Sequence, residues 1–283
     1  MIIFDEKEYA LKLLQGGYIR KNKKLKDIFI LAKYFKNQGL SQLQTCKEVL
    51  RFINKFDDTI YSYIKYQLKK YAIKTVKNAY MNNYTLRFNE KIELTEQELK
   101  SISELKTIGE KQIMFVLLVL NKFYSNNVNN FYVSYKDIFE FTKLKYQTNN
   151  IKNIFSRLIN KKYISVVNKY KQAAITKLRH ISIYKRLYFQ VNIKPCNNVI
   201  YVIRNFDNLM SDFAKCMKLI DGGTYCAICG IPIKKTSNRR KYCSSCWKDK
   251  EKEDNRRYAR ESMRRIRQRR NVKGLENPAN LHE

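Results

Sequence analysis

The sequence has few of the residues that enzyme active sites use most often. Two histidines, His180 and His282, occur in 283 residues. Neither the Gly-x-x-x-x-Gly-Lys phosphate loop nor the Gly-x-Gly-x-x-Gly turn of nucleotide-binding proteins is present. Nucleases of the His-Asn-His class also contain paired cysteines, but they need a histidine base and further metal ligands, and the cysteine-rich stretch of this chain has no histidine. We therefore expect a non-enzymatic protein, with a nuclease as the alternative.

Long apolar runs are absent as well. The longest candidate, residues 113–120, is far shorter than the ~20 residues of a membrane-spanning helix and predicts a core segment instead. The first residues lack the basic start and the long apolar region of a signal peptide. The cysteines comprise two close pairs and three isolated residues, Cys46, Cys196 and Cys216, which is typical of a reducing compartment. We therefore expect a cytoplasmic protein.

Acidic residues are scarce and unevenly distributed. The chain has 25 Asp and Glu against 57 Lys and Arg, a formal net charge of +32, which predicts nucleic acid first and an anionic membrane surface second as the partner. An AT-rich genome would explain part of the lysine content, so the distribution of acids is better evidence than the total. No Asp or Glu occurs in residues 141–206, which contain fourteen Lys or Arg. Because carboxylates repel phosphate, this favours a DNA-facing surface over an accidentally basic one.

Residues 1–94 predict a helical N-terminal region. Apolar residues recur at helical spacing in three stretches, and Gly39 separates the first two. Ser41 is positioned to cap the second helix. Tyrosines lie beside lysines in the third stretch, which favours the edge of an amphipathic core with lysine stems along it over a base-stacking surface. These tyrosines are Tyr61, Tyr63, Tyr66 and Tyr71.

Residues 95–205 have the element order of a winged helix-turn-helix domain. The capping box of Thr95 and Glu98 predicts a helix start near residue 96, and the apolar stretch after Glu110 predicts a buried central helix. Ser134 is positioned to cap the next helix. The remaining elements are predicted as a strand at 131–134, helices at 135–141 and 149–161, a strand at 163–168, a basic wing at 169–180 and a returning strand at 181–191.

The helix over residues 149–161 has one apolar face and one polar face. The polar face carries amide and basic side chains and no acid, whereas an ordinary solvated face mixes both signs of charge. Asn pairs with adenine, Arg with guanine, and Lys with guanine or phosphate. We therefore expect this helix to read bases and the wing to lie along phosphates. The predicted contacts are Asn150, Lys152, Asn153, Arg157 and Lys161 on the helix, and Lys169, Lys171, Lys177 and Arg179 in the wing.

The sequence predicts a helical connector over residues 206–223 and a small metal module over residues 224–250. Two Cys-x-x-Cys pairs separated by thirteen residues can place four thiolates in a tetrahedron around one cation. Gly230, directly after the first pair, suits the tight turn of a cysteine knuckle. This spacing favours one structural zinc ion over two disulfides or four unconnected thiols. The predicted ligands are Cys226, Cys229, Cys243 and Cys246.

The sequence predicts a basic, arginine-rich helix over residues 251–273 and an untethered tail over residues 274–283. The eight arginines of residues 256–270 are opposed there only by Glu261, and this self-repulsion predicts a helix that is frayed alone and ordered on a phosphate backbone. A solubilising disordered segment and an RNA-binding segment are the alternatives. The arginines predicted to contact nucleic acid are Arg256, Arg257, Arg260, Arg264, Arg265, Arg267, Arg269 and Arg270, together with Arg239 and Arg240 between the cysteine pairs.

Two parts of the chain resemble known families. The segment Tyr225-Cys-Ala-Ile-Cys-Gly230, a short basic insert, the segment Lys241-Tyr-Cys-Ser-Ser-Cys246 and the basic helix resemble the C-terminal zinc-ribbon or treble-clef tails of proteins from bacterial phages and mobile elements. That resemblance implies that the last cysteine pair opens the helix and that the module binds nucleic acid. Residues 105–195 are similar, in element order alone, to the winged-helix domains of phage and plasmid replication initiators and transcription regulators.

These patterns together predict a mainly α protein with a nucleic-acid partner. Its predicted parts are a helical N-terminal region, a winged helix-turn-helix domain, a small four-cysteine zinc module and a long basic helix. We expect a zinc-containing, double-stranded DNA-binding protein that acts in transcription regulation or replication initiation. The second hypothesis is an RNA- or ribonucleoprotein-associated structural protein anchored by the arginine-rich helix. The third is an adaptor whose N-terminal helices hold a protein partner.

Overall fold

The computed structural model describes residues 2–19, 24–57, 62–124, 130–142, 144, 148–166, 186–194, 196–234 and 240–275. Within these residues the chain forms ten helices and five short strands, which confirms the prediction of a mainly α protein. No helix in this part of the chain is both long enough and apolar enough to cross a membrane. The helices are α1 (Glu6–Gly16), α2 (Lys24–Asn37), α3 (Gln42–Phe56), α4 (Ser62–Met81), α5 (Glu96–Ser103), α6 (Ile108–Tyr124), α7 (Tyr135–Thr142), α8 (Thr148–Asn160), α9 (Leu209–Asp221) and α10 (Ser244–Leu275). The strands are β1 (Ile92–Thr95), β2 (Asn130–Ser134), β3 (Ile164–Val166), β4 (Arg186–Val191) and β5 (Val199–Ile203).

The first four helices form a bundle with its own apolar core. Asp5 caps α1, because its Oδ1 accepts hydrogen bonds from the amides of Lys7 and Glu8 at 2.8 and 2.9 Å. Ser41 caps α3 as predicted: its hydroxyl accepts from the Gln44 amide at 3.3 Å, and the Gln44 side chain accepts from the Ser41 amide at 2.8 Å. The buried core of the bundle consists of Ala10, Leu13, Ile28, Ile30, Leu31, Ala32, Val49, Phe52, Ile53, Ala72, Val76 and Ala79.

The outer side of α4 presents tyrosines to solvent. Tyr63, Tyr66 and Tyr71 are 70, 62 and 53 % exposed, so the predicted position at the edge of the core is wrong for these three residues. Tyr61 lies outside the described residues. The fully buried residues of α4 are Ala72, Val76 and Ala79, and Leu68 and Tyr80 pack against the core beside them.

A second and larger core surrounds α6. Every side chain from Ile113 to Leu120 is at most 1 % exposed, which confirms the predicted buried central helix. β1 and β5 pair as an antiparallel ribbon against this core. α5 begins at Glu96 as predicted, where the Glu98 carboxylate accepts a hydrogen bond from the Thr95 amide at 2.8 Å.

Three strands and two helices pack beside α6. β2 pairs with β4, and β4 pairs with β3, both antiparallel, so that the strand order is β2-β4-β3. α7 starts after Ser134, whose hydroxyl accepts from the Asp137 amide at 3.2 Å, and this confirms the predicted cap. α8 turns Ile154, Phe155 and Leu158 into the core, as its two-faced pattern predicted. Residues 167–185, which include the predicted wing, lie outside the described residues.

The larger core also includes residues from before and after the predicted domain 95–205. The Phe4 ring packs against the rings of Phe123 and Phe206, with centroids 5.8 and 4.9 Å away. Phe4, Ile92 and Leu94 precede the domain boundary predicted at residue 95 and belong to this second core. The segment predicted as a connector forms α9 and contributes five buried side chains to the same core: Leu209, Met210, Phe213, Cys216 and Met217.

Candidate metal centre and nucleic-acid interface

Four cysteine sulfurs converge at the start of the last helix. The Sγ atoms of Cys226, Cys229, Cys243 and Cys246 all lie within 4.8 Å of one another, and all four thiols are free. The Cys229 and Cys243 sulfurs are 3.8 Å apart. A tetrahedral ion with metal–sulfur bonds of roughly 2.3 Å places its ligands about 3.8 Å apart, so this distance fits four-sulfur coordination. The four predicted ligands therefore form one cluster that could hold a metal ion.

Backbone hydrogen bonding shapes the turn around the first cysteine pair. The Gly230 amide donates to the Cys226 carbonyl at 2.8 Å and closes the turn. Gly230 has a φ of 68°, and a Cβ at this position would approach the Phe213 ring to 2.7 Å. The left-handed backbone and the close ring together explain why glycine occupies this position.

Backbone amides also point at the sulfurs. The Cys243 amide donates to Cys226 Sγ, and the Cys246 amide donates to Cys243 Sγ, each at 3.4 Å. Burial alone would raise the pKa of Cys226, but backbone amides that face its sulfur outweigh burial and lower the pKa to about 7. Burial raises the pKa of Cys229 and of Cys246, and the neighbouring Cys226 raises both further. Cys226 is therefore more readily ionised than Cys229 or Cys246, and a bound cation would favour the thiolate form of its ligands.

The cysteine module is fixed to the larger core. Gln112 of α6 donates from Nε2 to the Cys229 carbonyl at 2.6 Å. The Phe213 ring of α9 packs edge-on against Tyr225, with ring centroids 6.0 Å apart. Through these contacts, the core helices set the orientation of the module and of α10, which leaves it.

α8 presents the polar face that the sequence predicted. Asn153 and Arg157 are exposed on α8, and Lys161, directly after its last residue, is exposed as well. Asn150 and Lys152 lie on the α8 backbone, but their side chains are outside the described residues. The other predicted contacts outside the described residues are Lys169, Lys171, Lys177, Arg179 and Arg239.

One acid reaches this polar face from another helix. The Glu110 carboxylate of α6 accepts a hydrogen bond from Arg157 Nε and lies 3.7 Å from Lys161 Nζ. The Glu110 side chain is 1 % exposed and that of Arg157 is 46 % exposed, so the pair joins the core to the surface. Burial alone would raise the pKa of Glu110, but hydrogen bonds from Arg157 and the Thr107 amide, with the charge of Lys161, outweigh burial and lower the pKa. An ionised carboxylate thus holds Arg157 through Nε.

The Glu110–Arg157 contact joins residues 47 positions apart and was not predicted from the sequence. One local signal was present. Thr107-Ile-Gly-Glu110 matches a capping box, and the Glu110 amide indeed donates to the Thr107 hydroxyl at 3.3 Å. That pattern places a carboxylate at the start of α6, but it contains no information about the side chain on α8 that the carboxylate meets.

α10 extends away from the module with little around it. From residue 251 to residue 268 every side chain except Asp254 is exposed. Its 32 residues correspond to a length of about 48 Å. Cys246 lies in its first turn, as the resemblance to zinc-ribbon and treble-clef tails implied. Just before the helix, Arg240 donates to the Ser244 hydroxyl at 3.3 Å.

Four arginines of α10 share one side of the helix. Their spacing of four, four and three residues keeps them within one face, because a helix turns every 3.6 residues. Glu261, the one acid among the arginines, lies roughly 100° away around the helix axis. Arg269 and Arg270 follow on the α10 backbone, with side chains outside the described residues. We define the α10 arginine face as Arg256, Arg260, Arg264 and Arg267.

No family model, no curated protein and no solved structure matches the chain. The function must therefore be inferred from the residues themselves.

Proposed function

We propose that this chain is a non-enzymatic, zinc-containing protein that binds double-stranded DNA in the cytoplasm. The observation that carries the proposal is the setting of Arg157, a half-exposed arginine on the polar face of α8 whose Nε is held by a buried carboxylate. Guanine is recognised by a planar arginine fork that donates two parallel hydrogen bonds to O6 and N7. An arginine held through Nε keeps its Nη donors for such a base and does not have to be ordered during binding.

The arrangement around α8 supports a winged-helix interpretation of residues 95–205. In helix-turn-helix proteins the second helix of the motif enters the major groove, and the first crosses the backbone. α7 and α8 have the same order along the chain as the two helices of that motif, and β3 and β4 then flank the segment predicted as the wing. The strand order β2-β4-β3 places the strand that returns from this segment in the middle of the sheet. In this interpretation α8 is the recognition helix.

The exposed polar residues around Arg157 have complementary roles in the proposal. Asn153, one turn before Arg157, offers an amide that can pair with an adenine edge. Lys161 lies one turn after Arg157 and contributes charge towards phosphate. Glu110 is a positioning residue, because it contacts Arg157 and Lys161 rather than DNA.

The composition of the cysteine cluster favours one structural zinc ion as its ligand. Thiolate ligands in tetrahedral geometry favour zinc or iron over magnesium and calcium. Cys226, Cys229, Cys243 and Cys246 would hold the ion and leave no open position for a substrate, so zinc would stabilise the module without taking part in a reaction. The module then fixes the start of α10, and the α10 arginine face adds phosphate contacts to those made by the α8 site.

The resemblances noted in the sequence suggest the biological setting. We propose a protein of a phage or mobile element that acts in transcription regulation or replication initiation. Both roles need a protein that finds one DNA site among many, which a base-reading helix supplies and phosphate contacts alone do not.

Selection from a random duplex DNA pool tests the proposed function. Full-length, zinc-loaded protein is used at near-physiological salt, because a chain this basic retains any DNA when salt is low. We expect an enriched motif that contains at least one guanine whose selection is lost in the Arg157→Ala variant. A pool that stays random with the wild-type protein would contradict the proposal.

An RNA- or ribonucleoprotein-associated structural protein is the second candidate. The exposed α10 arginine face favours it, because arginine-rich helices bind structured RNA as well as DNA. Tighter binding to structured RNA than to the selected duplex, with no effect of changes on α8, would establish this candidate in place of the first.

A further inference from the structure

The outer side of α4 carries a basic surface separate from α8 and α10. Two tyrosines and three lysines follow one another on it at spacings of three, four, four and three residues, which align them along one line of the helix over about 21 Å. The tyrosines are more than half exposed, and all three lysines are exposed. We define the α4 stripe as Tyr63, Tyr66, Lys70, Lys74 and Lys77.

Acids are absent from the sequence around the α4 stripe. Residues 59–89 contain no Asp or Glu and six Lys or Arg. Within the described part of the chain, no carboxylate pairs with Lys70, Lys74 or Lys77. Elsewhere in the same bundle, lysines do have acidic partners: Lys24 Nζ lies 2.7 Å from the Asp57 carboxylate, and Lys33 bonds Glu6. The positive charge of the α4 stripe is therefore not neutralised by the bundle.

The bundle does not use the tyrosines of the α4 stripe for its own packing. Tyr80 is a contrasting tyrosine on the same helix, because its hydroxyl donates to the Leu40 carbonyl at 2.5 Å and lies 2.7 Å from the Thr45 hydroxyl. Tyr63 and Tyr66 lie on the opposite side of α4 from its buried alanines and valine. Their rings thus expose flat aromatic faces without a structural role in the bundle.

We propose that the α4 stripe binds single-stranded DNA. Unpaired bases stack on exposed aromatic rings, and lysines in line with the rings attract the phosphates that connect those bases. A duplex keeps its base faces inside the stack, so the two tyrosines favour a single strand over a double strand. The choice of DNA over RNA depends on the proposed function, because strand separation beside a bound duplex supplies single-stranded DNA.

A protein partner or a second copy of the chain would also cover exposed tyrosines. Three unneutralised lysines in the same line favour a polyanion instead, since a second copy would bring its own lysines to the contact and repel. Protein association is therefore treated as an outcome of the test.

The test measures binding of a labelled oligo(dT) by full-length, zinc-loaded protein whose duplex sites are saturated with unlabelled duplex DNA. Tyr63→Ala combined with Tyr66→Ala should weaken oligo(dT) binding by at least about tenfold, and duplex binding, measured separately, by less than about twofold. Leu43→Ala is the matched control, because Leu43 is a large apolar residue on α3 that is 68 % exposed and outside the α4 stripe. It should leave both affinities unchanged.

A second variant tests the charges of the α4 stripe. Replacing Lys70, Lys74 and Lys77 by Gln should reduce the slope of log affinity against log salt by about 2 for oligo(dT), since each single-strand phosphate contact contributes about 0.7. Lys47→Gln, an exposed lysine on α3, is the control and should leave the slope unchanged.

Three results would overturn the proposal. The first is oligo(dT) affinity that neither variant alters, and the second is tighter, tyrosine-dependent binding of oligo(U) than of oligo(dT). The third is loss of self-association in the tyrosine variant without loss of oligo(dT) binding, which would identify a protein interface. Duplex binding is measured in parallel, so the two proposals can fail independently. If only the proposed function is wrong, the protein selects no duplex motif but still binds oligo(dT) through the two tyrosines.

Discussion

At the scale of single residues, Arg157 joins the polar face of α8 to the core of the protein. Arg157→Ala should cost about 1–3 kcal/mol in binding to the selected DNA and should relax the base preference at one position. Arg157→Lys should fail to restore that preference, because an ammonium cannot form the two parallel bonds of the guanidinium. The measurement is competition binding across all four bases at each position of the selected site.

The control for Arg157 is Lys218→Ala, an exposed basic residue on α9. This change should leave the base preference intact. An equal loss of affinity for every sequence in the Arg157→Ala variant would show that Arg157 contacts phosphate only.

Glu110 gives the stability of the protein a defined pH dependence. Glu110→Gln should cost about 1–3 kcal/mol of unfolding free energy at neutral pH, because hydrogen bonds from charged groups to a buried carboxylate are lost. The pKa of Glu110 in the folded protein lies below its ordinary value of 4.5, so the unfolded chain binds the proton more tightly. The stabilisation is therefore complete above about pH 4.5 and is lost as the pH falls through the folded-state pKa.

Urea unfolding of the wild type and of Glu110→Gln across this pH range measures that difference. Glu104→Gln, at an exposed acid shortly before α6, is the control and should change stability little at any pH. A difference between the wild type and Glu110→Gln that stays constant down to pH 3 would contradict the expected ion pair.

Residue-scale features were predictable where their partners are close in sequence. The caps at Ser41 and Ser134 follow from hydroxyls placed before a helical pattern, and both are observed. The partners of Glu110 were not predictable, because Arg157 and Lys161 come from a different helix. The four cysteines were predictable as one cluster although the two pairs are separated in sequence. A four-sulfur metal site requires two close cysteine pairs, and that spacing is visible in the sequence.

At the scale of elements, substitutions on two different sides of α10 should affect DNA binding differently. Arg260→Gln, on the α10 arginine face, should reduce the slope of log affinity against log salt for duplex DNA by about 1, because one phosphate contact is lost. Arg265→Gln is the matched control, since Arg265 is an exposed arginine on another side of the same helix. Equal slopes for the two variants would mean that α10 binds without a preferred face.

Elements were predictable in type and order more than in pairing. The two-faced pattern of α8 and the uniformly apolar α6 each specify a helix and its burial, and both predictions are confirmed. The pairing of β1 with β5 was not predictable, because the two strands are distant in sequence and the sequence of one strand does not identify the strand with which it pairs. The exposed tyrosines of α4 were interpreted wrongly because Ala72, Val76 and Ala79, with Leu68 and Tyr80 beside them, form the packed side of that helix. Tyr63, Tyr66 and Tyr71 lie outside that side.

At the scale of the whole molecule, the metal module and the larger core depend on each other. Cys243→Ser should unfold the module, since metal binding and folding are coupled in such small sites. The contacts of Gln112 and Phe213 with the module should then be lost, so that the melting temperature of the larger core also falls. Limited proteolysis and thermal unfolding, with one zinc per chain in the wild type by metal analysis, measure these effects.

Cys46→Ser serves as the control for Cys243→Ser, because Cys46 lies in α3 and away from the cluster. It should retain zinc and melt as the wild type does. Protease resistance of residues 224–250 that survives in Cys243→Ser would refute the coupling.

The length of α10 has a consequence for any DNA that one chain occupies. About 48 Å of helix leaves the molecule from one place, and along a duplex this corresponds to roughly fourteen base pairs. A single bound chain would therefore mark its site asymmetrically, with a long arm on one flank only. Polymerases that approach from the two sides would meet different obstacles, and the site would have a polarity even if its sequence were a palindrome.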